Sequence, residues 1–217
     1  MTDRRLELTR EQILAFRRVV GGLDARLPGG PEALRAAAWA GLQDSMPRAA
    51  LLSIHARVQG TQPTTWEDPA LVQLWGPRFS AYAVAASDRA VFTLGRLSTE
   101  PTGRRRAVET ADRLERFLAG RRMSYGEAGR GLGVNPNALR YAAPTGRVLI
   151  RWDGARQPTV WMVPPPEGDP ADARLELARR YLRVLGPATP AAFAGWAGIR
   201  PPVGRAVFEA LYGLIHG

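Results

Sequence analysis

Residues 124–166, SYGEAGRGLGVNPNALRYAAPTGRVLIRWDGARQPTVWMVPPP, contain the signals that decide the fold. Ser124 and Glu127 have the spacing of a capping box, which predicts a short helix that ends at Gly133. Asn135 and Pro136 then supply an N-cap and a first-turn proline for a second helix. Apolar runs at 147–152 and 159–166 flank an Asp-Gly turn and predict a β-hairpin. This order of elements predicts a winged helix-turn-helix domain.

Part of the same order recurs further along the chain. Thr189 and Pro190 open a helix that Gly198 ends, 65 residues after Gly133, and another helical pattern follows. The recurrence predicts tandem winged helices. No hairpin follows before residue 217, so we expect the last winged helix to be incomplete, either because it is truncated or because a partner completes its core.

The predicted fold class is mainly α with small β-hairpins (α+β), in three domains. Residues 1–102 form a first winged-helix-like domain, with helices over 9–22, 31–42 and 47–58, a strand over 79–84 and a short helix capped by Ser87. Residues 103–168 form the second, Arg-rich winged helix, after an exposed linker at 98–106. Residues 169–217 begin the third.

Composition limits the possible chemistry. The chain has no cysteine and only two histidines, which argues against a metal site, and we predict no cofactor. Neither a signal peptide nor an apolar membrane segment is recognisable, so we expect a soluble, cytoplasmic protein without a membrane partner. The net charge is +10 and every basic residue is arginine. This balance favours a polyanionic partner.

The positive charge is concentrated in the second domain, where residues 101–151 hold eleven arginines and four acidic residues. In a winged helix the second helix usually enters the major groove and the wing reaches phosphates or the minor groove. We therefore expect the protein to bind double-stranded DNA near the nucleoid. The candidate contacts are Asn137 and Arg140 on the recognition helix, Arg147, Arg151 and Arg156 on the wing, and Arg78 in the first domain. The alternative is a winged helix that serves only as a scaffold for protein interactions.

Gln43, Asp44 and Ser45 form a polar triplet between two predicted helices. Asp44 or Ser45 is a natural N-cap for the helix that follows, so the triplet is explained without any activity. If the backbone is extended here, Gln43 and Ser45 point the same way and Asp44 points away.

Three stretches resemble the tandem winged-helix proteins related to the AlkZ-type bacterial DNA glycosylases. They are GLQDSMPRAALLSIHARV (41–58), LVQLWGPRFSAYAV (71–84) and ARRYLRVLGPATPAAFAGWAGI (178–199). The active relatives remove alkylated purines, and some unhook interstrand crosslinks, through a motif of Gln, an apolar residue, and then Gln or Asp. The resemblance makes Gln43 the first catalytic residue and places Ser45 at the second position. The chain departs from the motif at both Asp44 and Ser45.

The resemblance implies hydrolysis of an N-glycosidic bond. An N3- or N7-alkylated purine is a cationic leaving group, so a positioned water and stabilisation of an oxocarbenium-like sugar suffice. Gln43 can hold this water with help from Ser45, or from Asp44 if the loop bends. Because the chain has no lysine to form a Schiff base, we expect a glycosylase without lyase activity. The alternative is a non-catalytic DNA-binding or regulatory protein with a degenerate motif.

Overall fold

The computed structural model describes residues 7–46, 48–154 and 157–216. The helices are α1 (Arg10–Val20), α2 (Pro31–Ala37), α3 (Ala49–Arg57), α4 (Arg89–Thr93), α5 (Pro101–Leu118), α6 (Tyr125–Gly131), α7 (Pro170–Leu185), α8 (Pro190–Ala197) and α9 (Pro201–His216). The strands are β1 (Leu42–Gln43), β2 (Leu71–Trp75), β3 (Ala81–Ala85), β4 (Met123–Ser124), β5 (Val148–Arg151) and β6 (Thr159–Met162). A long 3₁₀ helix covers Pro136–Thr145. The mainly helical α+β prediction is confirmed.

The first unit comprises α1 to α4 and β1 to β3, and it differs from the prediction at its element ends. Helix α2 stops at Ala37, five residues early, because Gly41 is left-handed and Leu42 begins a strand. The predicted start of the third helix, Pro47, lies outside the described residues, and α3 begins at Ala49. A tertiary pairing with β3 thus replaces the predicted end of α2.

The β2–β3 hairpin is the least predictable part of the first unit. Strand β2 is buried along almost its whole length, so it lacks the alternation that identifies a half-exposed strand. Strand β3 starts at Ala81 instead of residue 79, because Arg78 and Phe79 both adopt positive φ angles, 56° and 55°. Left-handed backbone is incompatible with a strand, so β3 begins only after these two residues.

The second unit, from α5 to β6, contains the predicted helix-turn-helix and hairpin. Ser124 and Glu127 form the complete capping box of α6, and the Asn135 side chain accepts from the Asn137 amide. The recognition segment Pro136–Thr145 is a 3₁₀ helix, not an α-helix. The predicted linker is wrong in part, because α5 begins at Pro101 with its proline in the first turn.

The third unit, α7 to α9, follows the predicted order. The Thr189 hydroxyl accepts from the Ala192 amide at the start of α8, and Gly198 ends it with φ 72°. Gly133 has φ 66° at the corresponding position of the second unit. The left-handed glycine is therefore a shared feature of the two copies, and it explains the glycine at each place.

A single sheet crosses the predicted boundary near residue 103. The six strands of the described ranges lie in the order β1-β3-β2-β5-β6-β4, and Gln73 of β2 pairs with Ile150 of β5. One core joins Trp75 to the helix-turn-helix, and another joins β2, β3 and α4 to α7, α8 and α9. The three units are therefore packed around common cores. None of the helices in the described part of the chain is long and apolar enough to span a membrane.

Candidate active site and DNA interface

Gln43 and Ser45 lie side by side on the exposed face of a short strand. Gln43 pairs with Tyr82 of β3, and the Asp44 amide donates to the Ala81 carbonyl at 2.8 Å, which keeps the backbone extended. Both Gln43 and Ser45 are exposed. The Gln43 Nε2 donates to Ser45 Oγ at 2.8 Å. The expected common direction of these two side chains is confirmed.

Asp44 points in the opposite direction and is only 3% exposed. Its Oδ1 accepts from the Ala50 amide at 3.0 Å, and its Oδ2 accepts from Gln73 Nε2 at 2.6 Å. Burial raises the pKa of the Asp44 carboxyl, although the hydrogen bonds to Ala50 and Gln73 oppose that rise. This geometry corrects the list of catalytic candidates. Asp44 caps the start of α3 from a distance and cannot share a water with Gln43.

Gln73 is a buried residue that the sequence analysis missed. Besides bonding Asp44, its Oε1 accepts from the Trp152 amide at 2.8 Å and its Nε2 donates to the Trp152 carbonyl at 3.3 Å. Gln73 therefore connects the triplet to the end of the wing strand β5. A lone polar residue inside the apolar run LVQLW was the available signal, because a buried amide needs partners.

Arg78 reaches Gln43 from the β2–β3 turn. It is exposed, and its Nη2 donates to Gln43 Oε1 at 3.0 Å. This bond sets the orientation of the carboxamide, with the oxygen toward Arg78 and the nitrogen toward Ser45. The predicted DNA-contact residue Arg78 is thus a neighbour of the predicted catalytic residue Gln43.

A cleft of about 300 Å³ opens beside Gln43. The aromatic side chains of Tyr82, Tyr181 and Trp196 line it, and the Tyr181 and Trp196 rings lie 4.9 Å apart. Burial raises the pKa of the Tyr82 hydroxyl, while nearby Arg78 and Trp196 partly offset the rise. The first unit supplies the polar rim of this cleft, and α7 and α8 of the third unit supply much of its apolar wall.

The predicted DNA-contact residues fall into different environments. Arg151 is exposed, and its Cζ lies 4.4 Å from the centre of the Trp66 ring. Arg48, which the sequence analysis did not select, lies 5.6 Å from the same ring. Arg48 and Arg151 therefore share the Trp66 ring at the border of the first and second units.

Two other arginines are engaged inside the protein. The Arg147 side chain is 17% exposed and forms ion pairs with Asp112, at 2.6 Å, and with Glu115. Arg140 is half-buried and donates to the Phe79 carbonyl at 3.3 Å. Arg147 is held by ion pairs, and the Nε atom of Arg140 is buried without an acceptor among residues 7–46, 48–154 and 157–216, so we do not retain either residue as a DNA contact.

The two remaining candidates have separate outcomes. Asn137 is exposed at the start of the recognition segment, and its Oδ1 accepts from the Tyr125 hydroxyl. The side-chain nitrogen of Asn137, Nδ2, has no acceptor among residues 7–46, 48–154 and 157–216 and can donate to a ligand. Arg156 lies outside the described residues.

Comparison with known proteins identifies the family. A profile described as DNA glycosylase AlkZ-like matches residues 36–214, which include the Gln43 site and most of all three units. The chain belongs to the AlkZ-like family. A search of curated proteins returns no match.

One solved structure has a fold similar to that of this AlkZ-like chain. The Streptomyces sahachiroi DNA glycosylase AlkZ superposes with a TM-score of 0.72 at 16% sequence identity. The match covers 95% of this chain and 66% of that protein. The likeness establishes a common fold, and this AlkZ-like chain spans slightly less than two thirds of the length of AlkZ.

Proposed function

We propose that this AlkZ-like chain is a DNA repair glycosylase that hydrolyses the N-glycosidic bond of alkylated purines, including crosslinked purines. The observation that carries the proposal is the exposed Gln43–Ser45 pair at the edge of a cleft, within a chain that matches the glycosylase family. Gln43 is the principal residue and Ser45 its partner. Asp44 holds the strand in place.

The proposed chemistry requires orientation of a water molecule and no strong base. Gln43 Oε1 accepts one bond from Arg78 and keeps a second lone pair, and Ser45 Oγ likewise keeps a lone pair. Both can accept from a water whose oxygen attacks C1′ of the sugar. The C1′–N bond breaks, its electron pair neutralises the cationic purine, and the proton of the water passes to solvent. The positive leaving group makes this weak assistance sufficient.

Double-stranded DNA is the proposed partner. Arg48, Arg78 and Arg151 are exposed cations near the triplet or the wing, and Asn137 marks the recognition segment. Arginine contacts to phosphates would position the duplex, whereas Asn137 can donate to a base edge or a phosphate. This arrangement supports binding across the first two units.

The decisive experiment measures purine release from a duplex that contains N7-methylguanine. We expect Gln43→Ala to lower the single-turnover rate by about 100-fold or more, because the water loses its principal acceptor. Ser45→Gln restores the second amide of the motif and should raise the rate above that of the unmodified chain. Both side chains are exposed, so thermal unfolding should change little and serves as the control. The purified protein should leave abasic DNA that breaks only after alkali treatment.

The non-catalytic alternative is favoured by two features of the same site. Ser45 replaces a carboxamide or carboxylate, and the positive charge of Arg78 lies next to Gln43, where it opposes a developing sugar cation. A chain that binds the duplex but releases no base, even as Ser45→Gln, would establish this alternative.

A further inference from the structure

A second cavity, of about 200 Å³, lies where the three units meet. We call it the junction cavity. Phe79 of the first unit, Arg106 and Tyr141 of the second, and Ile199 and Val203 of the third line it. It shares no lining residue with the cleft beside Gln43, so it is a separate site.

Arg96 contributes a buried positive charge to this cavity. The residue is 4% exposed, its Nε donates to the Ala197 carbonyl at 2.8 Å, and its Nη1 donates to the Trp75 carbonyl at 2.9 Å. The third nitrogen, Nη2, is buried and has no hydrogen-bond acceptor among residues 7–46, 48–154 and 157–216. No carboxylate within these ranges forms an ion pair with Arg96.

The Nη2 atom lies close to residues of the cavity lining. A Cβ atom built on Gly198 would lie 3.7 Å from Nη2, and the guanidinium carbon lies 5.0 Å from the centre of the Phe79 ring. Gly198 and Phe79 both line the cavity. The guanidinium edge without an acceptor therefore lies in the wall of the cavity, beside two of its lining residues.

The buried positive charge of Arg96 favours the binding of an anion. Desolvation lowers the pKa of Arg96, but only to about 10, so the group remains charged at neutral pH. A buried charge without a counter-charge is costly, and two neutral carbonyls offset that cost only in part. An anionic oxygen at Nη2 would form a charge-assisted hydrogen bond in a site of low polarity.

A second cation stands at the cavity mouth. Arg106 is exposed, and its Cζ lies 3.5 Å from the centre of the Tyr141 ring. It makes no ion pair in the described part of the chain. Arg200, by contrast, pairs with Glu100. The local field is therefore positive and attracts an anion toward Arg96.

The apolar and aromatic lining residues indicate what kind of ligand, apart from its charge, would fit the cavity. Leu97, Ala107, Pro144, Ile199 and Val203 are apolar, and the Phe79 and Tyr141 rings meet edge to face at 5.8 Å. The cavity is smaller than the roughly 300–1,000 Å³ of sites for drug-sized ligands. We propose that the junction cavity binds a small organic anion, a carboxylate on a planar apolar body, with the carboxylate on Arg96 and the body against Phe79 and Tyr141.

Benzoate, benzamide and acetate test the three parts of this proposal on the unmodified chain. Titrations followed by amide NMR should show saturable shifts at Gly103 and Gly198 with benzoate. Benzamide lacks the charge and should bind at least about tenfold more weakly. Acetate lacks the planar apolar body and should also bind more weakly. A dissociation constant in the range of tens of millimolar marks the weak limit of specific binding. If the shifts do not saturate by about 20 mM benzoate, the proposal is overturned. Equal affinity for benzamide or acetate would overturn it as well.

Two neighbouring arginines of α5 provide a matched comparison. Arg106→Gln should weaken benzoate binding severalfold, because it removes the cation at the mouth. Arg105→Gln removes the same charge from an exposed residue outside the lining and should leave binding nearly unchanged. An equal loss in both variants would mean that benzoate responds only to net charge, which would contradict a defined site. Neither readout depends on glycosylase activity, so failure here is distinct from failure of the proposed function.

Discussion

At the scale of single residues, Asp44 and Gln73 are two buried polar side chains that bond to each other inside an otherwise apolar region. Each Asp44 carboxylate oxygen accepts a hydrogen bond, and Gln73 bonds both the amide and the carbonyl of Trp152. Such a set is stable only while every member keeps its partner. The environment of Asp44 therefore depends on a residue 29 positions away in the sequence.

A double-mutant cycle tests this connection. We expect Asp44→Ala and Gln73→Leu each to lower the free energy of unfolding by about 2 kcal/mol, because each leaves buried polar groups unpaired. The double variant should lose less than the sum, with a coupling of about 1 kcal/mol. Chemical denaturation provides the measurement. Strict additivity would show that the two side chains act independently.

The same cycle should depend on pH in a defined direction. Burial raises the pKa of folded Asp44 above its usual value, so the folded chain binds this proton more tightly than the unfolded chain. The contribution of Asp44 is complete below its ordinary pKa and decreases as the pH rises through the raised value. The destabilisation by Asp44→Ala should therefore be larger near pH 3.5 than at about pH 7. The opposite trend would indicate a lowered pKa.

At the scale of elements, the wing places its arginines in contrasting surroundings. Arg151 lies on the exposed side of β5 over Trp66, whereas Arg147 at the base of the wing faces the carboxylates of α5. Identical side chains four residues apart therefore have different expected roles. We expect Arg151 to be available to DNA, whereas Arg147 holds the hairpin to the helix.

This contrast gives a matched test of DNA binding. We expect Arg151→Gln to weaken duplex binding uniformly across sequences and to reduce the slope of log K against log salt by about 0.9. Arg147→Gln removes the same charge and should leave that slope unchanged while lowering thermal stability. Binding isotherms at several salt concentrations supply both values. A reduced slope for Arg147→Gln alone would reverse the assignment.

At the scale of the whole molecule, Arg180 joins the third unit to the first. Its side chain pairs with Asp88 at 2.6 and 3.1 Å, with Glu176 at 2.6 Å, and donates to the Trp39 carbonyl at 2.7 Å. Arg180 is 7% exposed. This junction, like the shared cores, makes the units depend on one another.

Removing this charge should destabilise the entire chain. We expect Arg180→Gln to lower the free energy of unfolding by about 3 kcal/mol, because it leaves the poorly solvated Asp88 carboxylate without a counter-charge. Arg179→Gln breaks a neighbouring exposed pair with Glu176 and should change stability by less than about 1 kcal/mol. Denaturation should show one cooperative transition in each case. A separate transition for the third unit would contradict its dependence on the first.

Local signals account for what the sequence by itself determined. Ser124 with Glu127, and Thr189 before α8, identify helix starts because capping bonds join residues three apart. The left-handed Gly133 and Gly198 mark equivalent helix ends. The common direction of Gln43 and Ser45 follows from strand geometry, once the resemblance has selected them.

The tertiary structure alone decided the features that depend on residues distant in sequence. Pairing with β3 made Gln43 part of a strand, and Gln73 turned Asp44 from a catalytic candidate into a structural residue. The carboxylates of α5 engaged Arg147, and the junction of three units placed Arg96 in the wall of a cavity. In each case the residue's role is set by burial and by partners tens of residues away, whose energies outweigh local preferences and leave little trace in the neighbouring sequence.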